Sequence, residues 1–225
     1  MNRNDSINRM RRGAGFGGVI AFAGLIALAG CSGSSPPRLF LLSSGPIQAP
    51  GQRAMLSAEG GPVLGVHSPA RLQAAVAVTV PQYLDRSEIM VRTDAFELEP
   101  LPDARWAEDL AITASRTLAE DLNRALPAYD IVAWPNRFQG PVPYRIEVNL
   151  SNFEMSNANQ VVIAGRWVIA DDAAEKERAS ANFRNAAFLA DADPKSIVEA
   201  MSGLLGGVSS QIAIELQKQP AARRR

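Results

Sequence analysis

From residue 39 onward, short apolar runs and alternating stretches give way twice to a helical pattern. Leu39-Phe40-Leu41-Leu42 predicts a first short strand. Residues 43–70 are dense in Gly, Pro, Ser and Ala (Gly45-Pro46, Ala49-Pro50-Gly51, Gly60-Gly61-Pro62, Ser68-Pro69) and predict loop or linker. Residues 75–80, 89–91 and 96–98 read as strands, punctuated by Pro81, Pro100 and Pro102. A helix is expected over about 103–126, with Asp103 as its N-cap and Pro127 closing it. Tyr144, Ile146, Val148 and Leu150 alternate with Arg145, Glu147 and Asn149, the mark of a half-buried strand, and 161–170 and 178–188 predict two more. Asp193-Pro194 offers an N-cap and a Pro at N1 for a last helix, in which Ile197, Met201, Leu204, Val208, Ile212 and Leu216 keep helical spacing. The expected fold is a single α+β domain over 39–219, a mainly antiparallel sheet with two amphipathic helices packed on one face. Residues 220–225 read as a disordered tail.

The first 30 residues follow another pattern. Arg3, Arg9, Arg11 and Arg12 precede an apolar stretch from Gly13 to Ala29, the layout of a secretory signal peptide. That stretch is shorter and richer in glycine than the roughly 20 apolar residues a membrane span requires. It ends in Leu28-Ala29-Gly30-Cys31, which resembles the lipobox of bacterial lipoproteins. The resemblance implies removal of residues 1–30, acylation of Cys31 as the first mature residue, and a short lipidated tether over 31–38. Ser32, where an Asp would favour retention at the inner membrane, points by the same resemblance to the outer one. Cleavage removes four of the 23 basic and one of the 23 acidic residues, leaving 19 against 22, a balance that argues against nucleic acid as a partner. Cys31 is the sole cysteine, so no intrachain disulfide can form.

Little in the mature chain offers catalysis. His67, the one histidine, lies in the Gly/Pro-rich stretch, and the chain has neither a G-x-S-x-G elbow nor a phosphate-cradling G-x-x-x-x-G-K-[ST] loop. A lone His without a free Cys cannot make a zinc site. The carboxylate pairs Glu97/Glu99, Asp171/Asp172 and Asp191/Asp193 fall at strand ends or turns, where acidic residues are ordinarily solvated or capping. No catalytic residue, metal or cofactor is therefore expected. On the wheel of the first helix, Ala107, Ala111, Ala114, Leu118, Leu122 and Ala125 form one stripe, and Trp106 lies roughly 120° from its centre. Either a neighbouring loop covers Trp106 or it is partly exposed and serves an interface. Gly203, Gly206 and Gly207 lie away from the Val208 stripe of the last helix, either as tolerated surface glycines or as a face open to another backbone. Self-association through Trp106, Gly203 and Gly207 is the expectation that would use both features.

Two segments carry a family resemblance: Val80-Pro81-Gln82-Tyr83-Leu84-Asp85-Arg86-Ser87-Glu88-Ile89 and Arg105-Trp106-Ala107-Glu108-Asp109-Leu110. Together with the lipobox, Trp134-Pro135 and Ala164-Gly165-Arg166-Trp167, they resemble the ABC-type transport auxiliary lipoproteins, the family of paraquat-inducible protein C. The resemblance implies a non-enzymatic lipoprotein, held on the periplasmic side of the outer membrane, that assists an ABC-type system moving lipids between membranes. Its implied partner is a mammalian-cell-entry domain protein of the inner-membrane complex. Tyr83, Leu84, Asp85 and Arg86 are the candidate contact surface, the alternative being a strand-ending turn in which Asp85 and Arg86 form a local pair. Two alternatives stand beside this reading: an assembly lipoprotein that plugs or chaperones an outer-membrane barrel, and a periplasmic lipoprotein hydrolase, against which the missing His- or metal-based site counts.

Overall fold

The computed structural model describes residues 36–45, 72–135, 142–171 and 174–219; Cys31 and His67 lie outside them. The elements run β1 (Arg38–Phe40), β2 (Leu72–Thr79), β3 (Glu88–Arg92), β4 (Leu98–Trp106), α1 (Leu110–Ala125), β5 (Tyr129–Ala133), β6 (Tyr144–Ser156), β7 (Gln160–Asp171), β8 (Lys176–Phe188) and α2 (Pro194–Gln217).

β6 is the spine of the sheet. One of its edges pairs along its whole length with β7, antiparallel, and β7 pairs in turn with β8. The other edge takes two strands in succession, both parallel: β2 beside residues 144–149 and β3 beside residues 155–156. β5 extends the sheet from β2 in parallel, β4 pairs antiparallel with β3, and β1 lies parallel to β4 at the outer edge. Four of these seven pairings are parallel, so the sheet is mixed and largely parallel, and the expectation of a mainly antiparallel sheet is corrected. Alternation tells which face of a strand is buried and nothing of its direction. Parallel partners need a long crossover, which the stretch from β3 through α1 supplies between β2 and β5.

α1 packs on β2 and β5, α2 packs on β7, β8 and β6, and the two helices touch each other. Between them and the sheet lies one core. Ile146, Val148, Ile163 and Ile169 face it from the strands and Leu118, Leu122, Ile197, Met201, Leu205 and Ile212 from the helices, all fully buried. Tyr129 from β5 donates its buried hydroxyl hydrogen to the carbonyl of Leu216 at 3.0 Å, tying α2's end to the sheet. The free edge of β5 is covered by α1: Asn123 Nδ2 donates to the Ile131 carbonyl at 2.6 Å, and its Oδ1 accepts from the Ile131 N–H at 2.9 Å. A side-chain amide thus occupies the place of a further strand.

The last helix starts as the sequence implies, with Pro194 in its first turn and the Asp193 carboxylate accepting from the Lys195 N–H at 2.9 Å. It is long and apolar enough to cross a membrane by composition alone, yet half of its apolar window is buried inside this domain. The first helix is shorter than expected. Residues 98–106 form a strand, and α1 begins only after Asp109. Asp103, the expected N-cap, has φ +53° within β4. Phe96, expected in a strand, sits in the β3–β4 turn, and β5 has no counterpart among the expected elements.

Candidate functional site

The interruption between β2 and β3 builds the site. β6 bulges between Leu150 and Asn152, and at that level its edge has lost β2 and not yet met β3. Residues 80–87 leave the sheet here and close a tight turn, with Leu84 N–H donating to the Pro81 carbonyl (2.9 Å), Asp85 N–H to Gln82 (3.2 Å) and Arg86 N–H to Leu84 (2.9 Å). Pro81 has no N–H to offer a ladder, which suits the exit. The turn therefore lies against the middle of the spine strand.

Tyr83 fastens it there. Its hydroxyl donates to Glu154 Oε2 at 3.0 Å and lies 3.1 Å from the carbonyl of Ser151 in the bulge. Glu154, only 3% exposed, also accepts from Arg92 Nε (3.0 Å), Asn152 Nδ2 (3.0 Å) and the Phe153 N–H (2.7 Å). A buried carboxylate is tolerable only when so fully paired. Burial, and then the charge of Glu154, push the Tyr83 phenol from 10.0 up to about 12. A phenol raised in the folded state contributes stability that is complete below the unfolded value near 10 and lost as pH rises through 12. Tyr129 and Tyr144 are raised as well, both by burial first. Stability should therefore fall steeply above about pH 10, and Tyr83→Phe should lower it at neutral pH but show a shallower alkaline fall. Denaturant midpoints from about pH 8 to about pH 11.5 check this; parallel curves for the two proteins would contradict it.

The other candidates are dispersed. Leu84 is core, 2% exposed. Trp106 is core as well, at 5%, and its backbone N–H donates to the Ser87 carbonyl at 2.7 Å as part of a strand. The helical wheel that set it off the core stripe does not apply, and its exposure at an interface is corrected: Trp106 is a buried strand residue, opposite Phe40 of β1 and bonded to Ser87. Asp85 and Arg86 remain exposed. They do not form the local pair; Arg86 Nε instead lies 3.8 Å from Glu88 Oε2 and its Nη1 3.7 Å from Met90 Sδ. Glu88 is held below the usual carboxylate range, first by the hydrogen bond from Arg105 at 2.5 Å. Gly203 and Gly207 lie on the outer face of α2, where an added Cβ would meet nothing within 4 Å, whereas one on Gly206 would lie 3.6 Å from Asp121 Oδ2 of α1. Among the described residues, no three His, Cys, Asp or Glu side chains gather to hold a metal.

Glu154 and Arg92 were missed. The signal for Glu154 was present: the alternation ending at Leu150 resumes out of phase at Phe153 and Met155, which is how an inserted bulge residue reads.

Residues 56–213 match the family model of the ABC-type transport auxiliary lipoprotein component. The chain belongs to that family. Like other lipoproteins it is thus a membrane-anchored component of the cell envelope, auxiliary to an ABC-type transport system. Two solved structures share the auxiliary lipoprotein's fold. A Xanthomonas campestris protein of the DUF330 family is 17% identical, with a TM-score of 0.58, 80% of this chain covered and 98% of that one. An uncharacterised protein is 20% identical, with a TM-score of 0.57 and coverage of 65% and 92%. A PelC dodecamer from Paraburkholderia phytofirmans aligns at 13% identity and a TM-score of 0.37, over 61% of this chain and 88% of that one. No curated protein matches the chain.

Proposed function

We propose that this lipoprotein is a non-enzymatic subunit of a lipid-moving ABC system, acylated at Cys31, held on the periplasmic side of the outer membrane, and engaging a mammalian-cell-entry domain protein. Membership of the auxiliary family carries the reading. The lipobox at Leu28–Cys31 and Ser32 supports the outer-membrane placement, and self-association through the outer face of α2 at Gly203 and Gly207 belongs to the same reading.

The contact surface is narrower than the four-residue segment. Tyr83 and Leu84 are spent on the fold, so Asp85 and Arg86 are the members left for a partner. Arginine is a type that carries interface energy. Asp85→Arg combined with Arg86→Glu should reduce recovery of the mammalian-cell-entry protein at least tenfold, about 1.4 kcal/mol, with an unchanged melting temperature. Undiminished recovery by a folded variant would remove the 82–87 turn from the interface.

A further inference from the structure

A single transverse row crosses five strands at one end of the sheet. Leu98 of β4 is opposite Arg92 of β3, Arg92 is beside Ser156 of β6, Ser156 is opposite Gln160 of β7, and Gln160 is opposite Phe188 of β8. Beyond this row lie the β3–β4 turn, the β6–β7 turn and the passage from β8 into α2. Phe96, in the first of them, is 100% exposed, and Phe188 is 80% exposed.

Both are presented by tied backbone. The Phe96 N–H donates to Asp94 Oδ1 at 2.6 Å, and the Thr93 N–H to the Glu97 carbonyl at 3.1 Å. The Leu189 N–H donates to the Asn159 carbonyl at 2.8 Å, joining β8's end to the β6–β7 turn. Two phenylalanines held in water at one rim have no use in folding, and exposed apolar groups of this kind mark contact sites.

The direction of β1 supplies the occupant. β1 runs parallel to β4, with Arg38 opposite Ala104, so the chain before Arg38 heads toward the end at which β4 starts, the rim of Phe96. Arg38 Nη1 also donates to Asp193 Oδ1 at 3.2 Å, at the start of α2, just beyond Phe188 in the chain. Cys31 lies five residues before Pro36, and five residues of chain span at most about 18 Å.

We propose that this rim seats on the lipid leaflet that holds the acylated Cys31, with Phe96 and Phe188 entering its interfacial zone. The proposal rests on lipidation at Cys31. Aromatic rings at the interface would fix the orientation of a domain whose tether alone only limits its distance. Asp94, Glu97 and Asp191 flank the phenylalanines, against Arg92 and Lys195, so the chemistry favours zwitterionic over anionic headgroups.

The test uses the full-length lipidated protein in vesicles of phosphatidylethanolamine and phosphatidylcholine containing nitroxide-labelled lipid. Phe96→Cys, Phe188→Cys and, at the opposite end of β8, Lys176→Cys each carry an environment-sensitive fluorophore on the new thiol, the Cys31 sulfur being occupied by lipid. The labels at 96 and 188 should be quenched severalfold more than the label at 176. Equal quenching at all three positions in vesicle-bound protein would overturn the seating and leave the anchor intact. Protein that stays free of the vesicles would overturn both. Labels at 96 and 188 shielded from an aqueous quencher but untouched by the lipid nitroxide would place a protein on the rim and overturn the lipid assignment.

Discussion

Gly165→Ala should lower the melting temperature by roughly 6–12 °C and deplete folded protein in cells, because it forces apart two long strands paired along their whole length. Gly165 of β7 is opposite Leu150, next to the bulge in β6. A Cβ there would lie 2.2 Å from the Asn149 carbonyl oxygen and 3.0 Å from Leu150 Cα. Those are backbone atoms of the sheet's spine, which no side-chain rotation can move aside. Overpacking of this kind costs about 3 kcal/mol, and a domain of this size loses about 2–4 °C per kcal/mol. Thermal unfolding followed by circular dichroism decides it. A melting temperature within a degree or two of the wild type would show that the bulge relaxes more freely than its geometry implies.

The second large effect is on location. Cys31→Ser should abolish stable membrane attachment, leaving an unprocessed precursor or protein free in the periplasm. Acyl chains contribute about 0.8 kcal/mol for each buried methylene, and one chain alone is marginal, so stable attachment requires more than one. The apolar helix α2 cannot take over, since its apolar face is in the core. Fractionation with mass spectrometry of the N-terminus measures both arms. An unmodified Cys31 in membrane-bound wild type would contradict the account.

The strands β6, β7 and β8 and the last helix were legible because each has a strong local signal. β6, β7 and β8 alternate over many residues, and Asp193-Pro194 marks a helix start in two ways. What the sequence hid was long-range. Whether β2 lies parallel to β6 depends on the whole intervening path, which no window of residues records. Residues 98–106 show the same limit: Pro100, Pro102 and Asp103 resemble a turn and cap before a helix, and only the pairing of that segment with β1 and β3 makes it a strand. The misreading carried over to Trp106, whose apparent displacement from a helical stripe was the displacement of a strand residue. In the candidate contact segment, chemistry was readable but allegiance was not. Tyr83 reads as an interface aromatic in the sequence, whereas in the fold its hydroxyl donates a hydrogen bond to Glu154, 71 positions away. Asp85 and Arg86 survive as surface residues because nothing distant claims them among the described residues.

The central claim, an auxiliary lipoprotein serving a lipid-moving ABC system, is tested most directly by cross-linking in the intact envelope. The lipidated protein, carrying a photoreactive residue at position 86, is recovered after irradiation and its adducts are identified by mass spectrometry. The expected adduct is a mammalian-cell-entry domain protein, with the permease and ATPase of the same transporter co-purifying. Adducts to an outer-membrane barrel with no transporter component would contradict it.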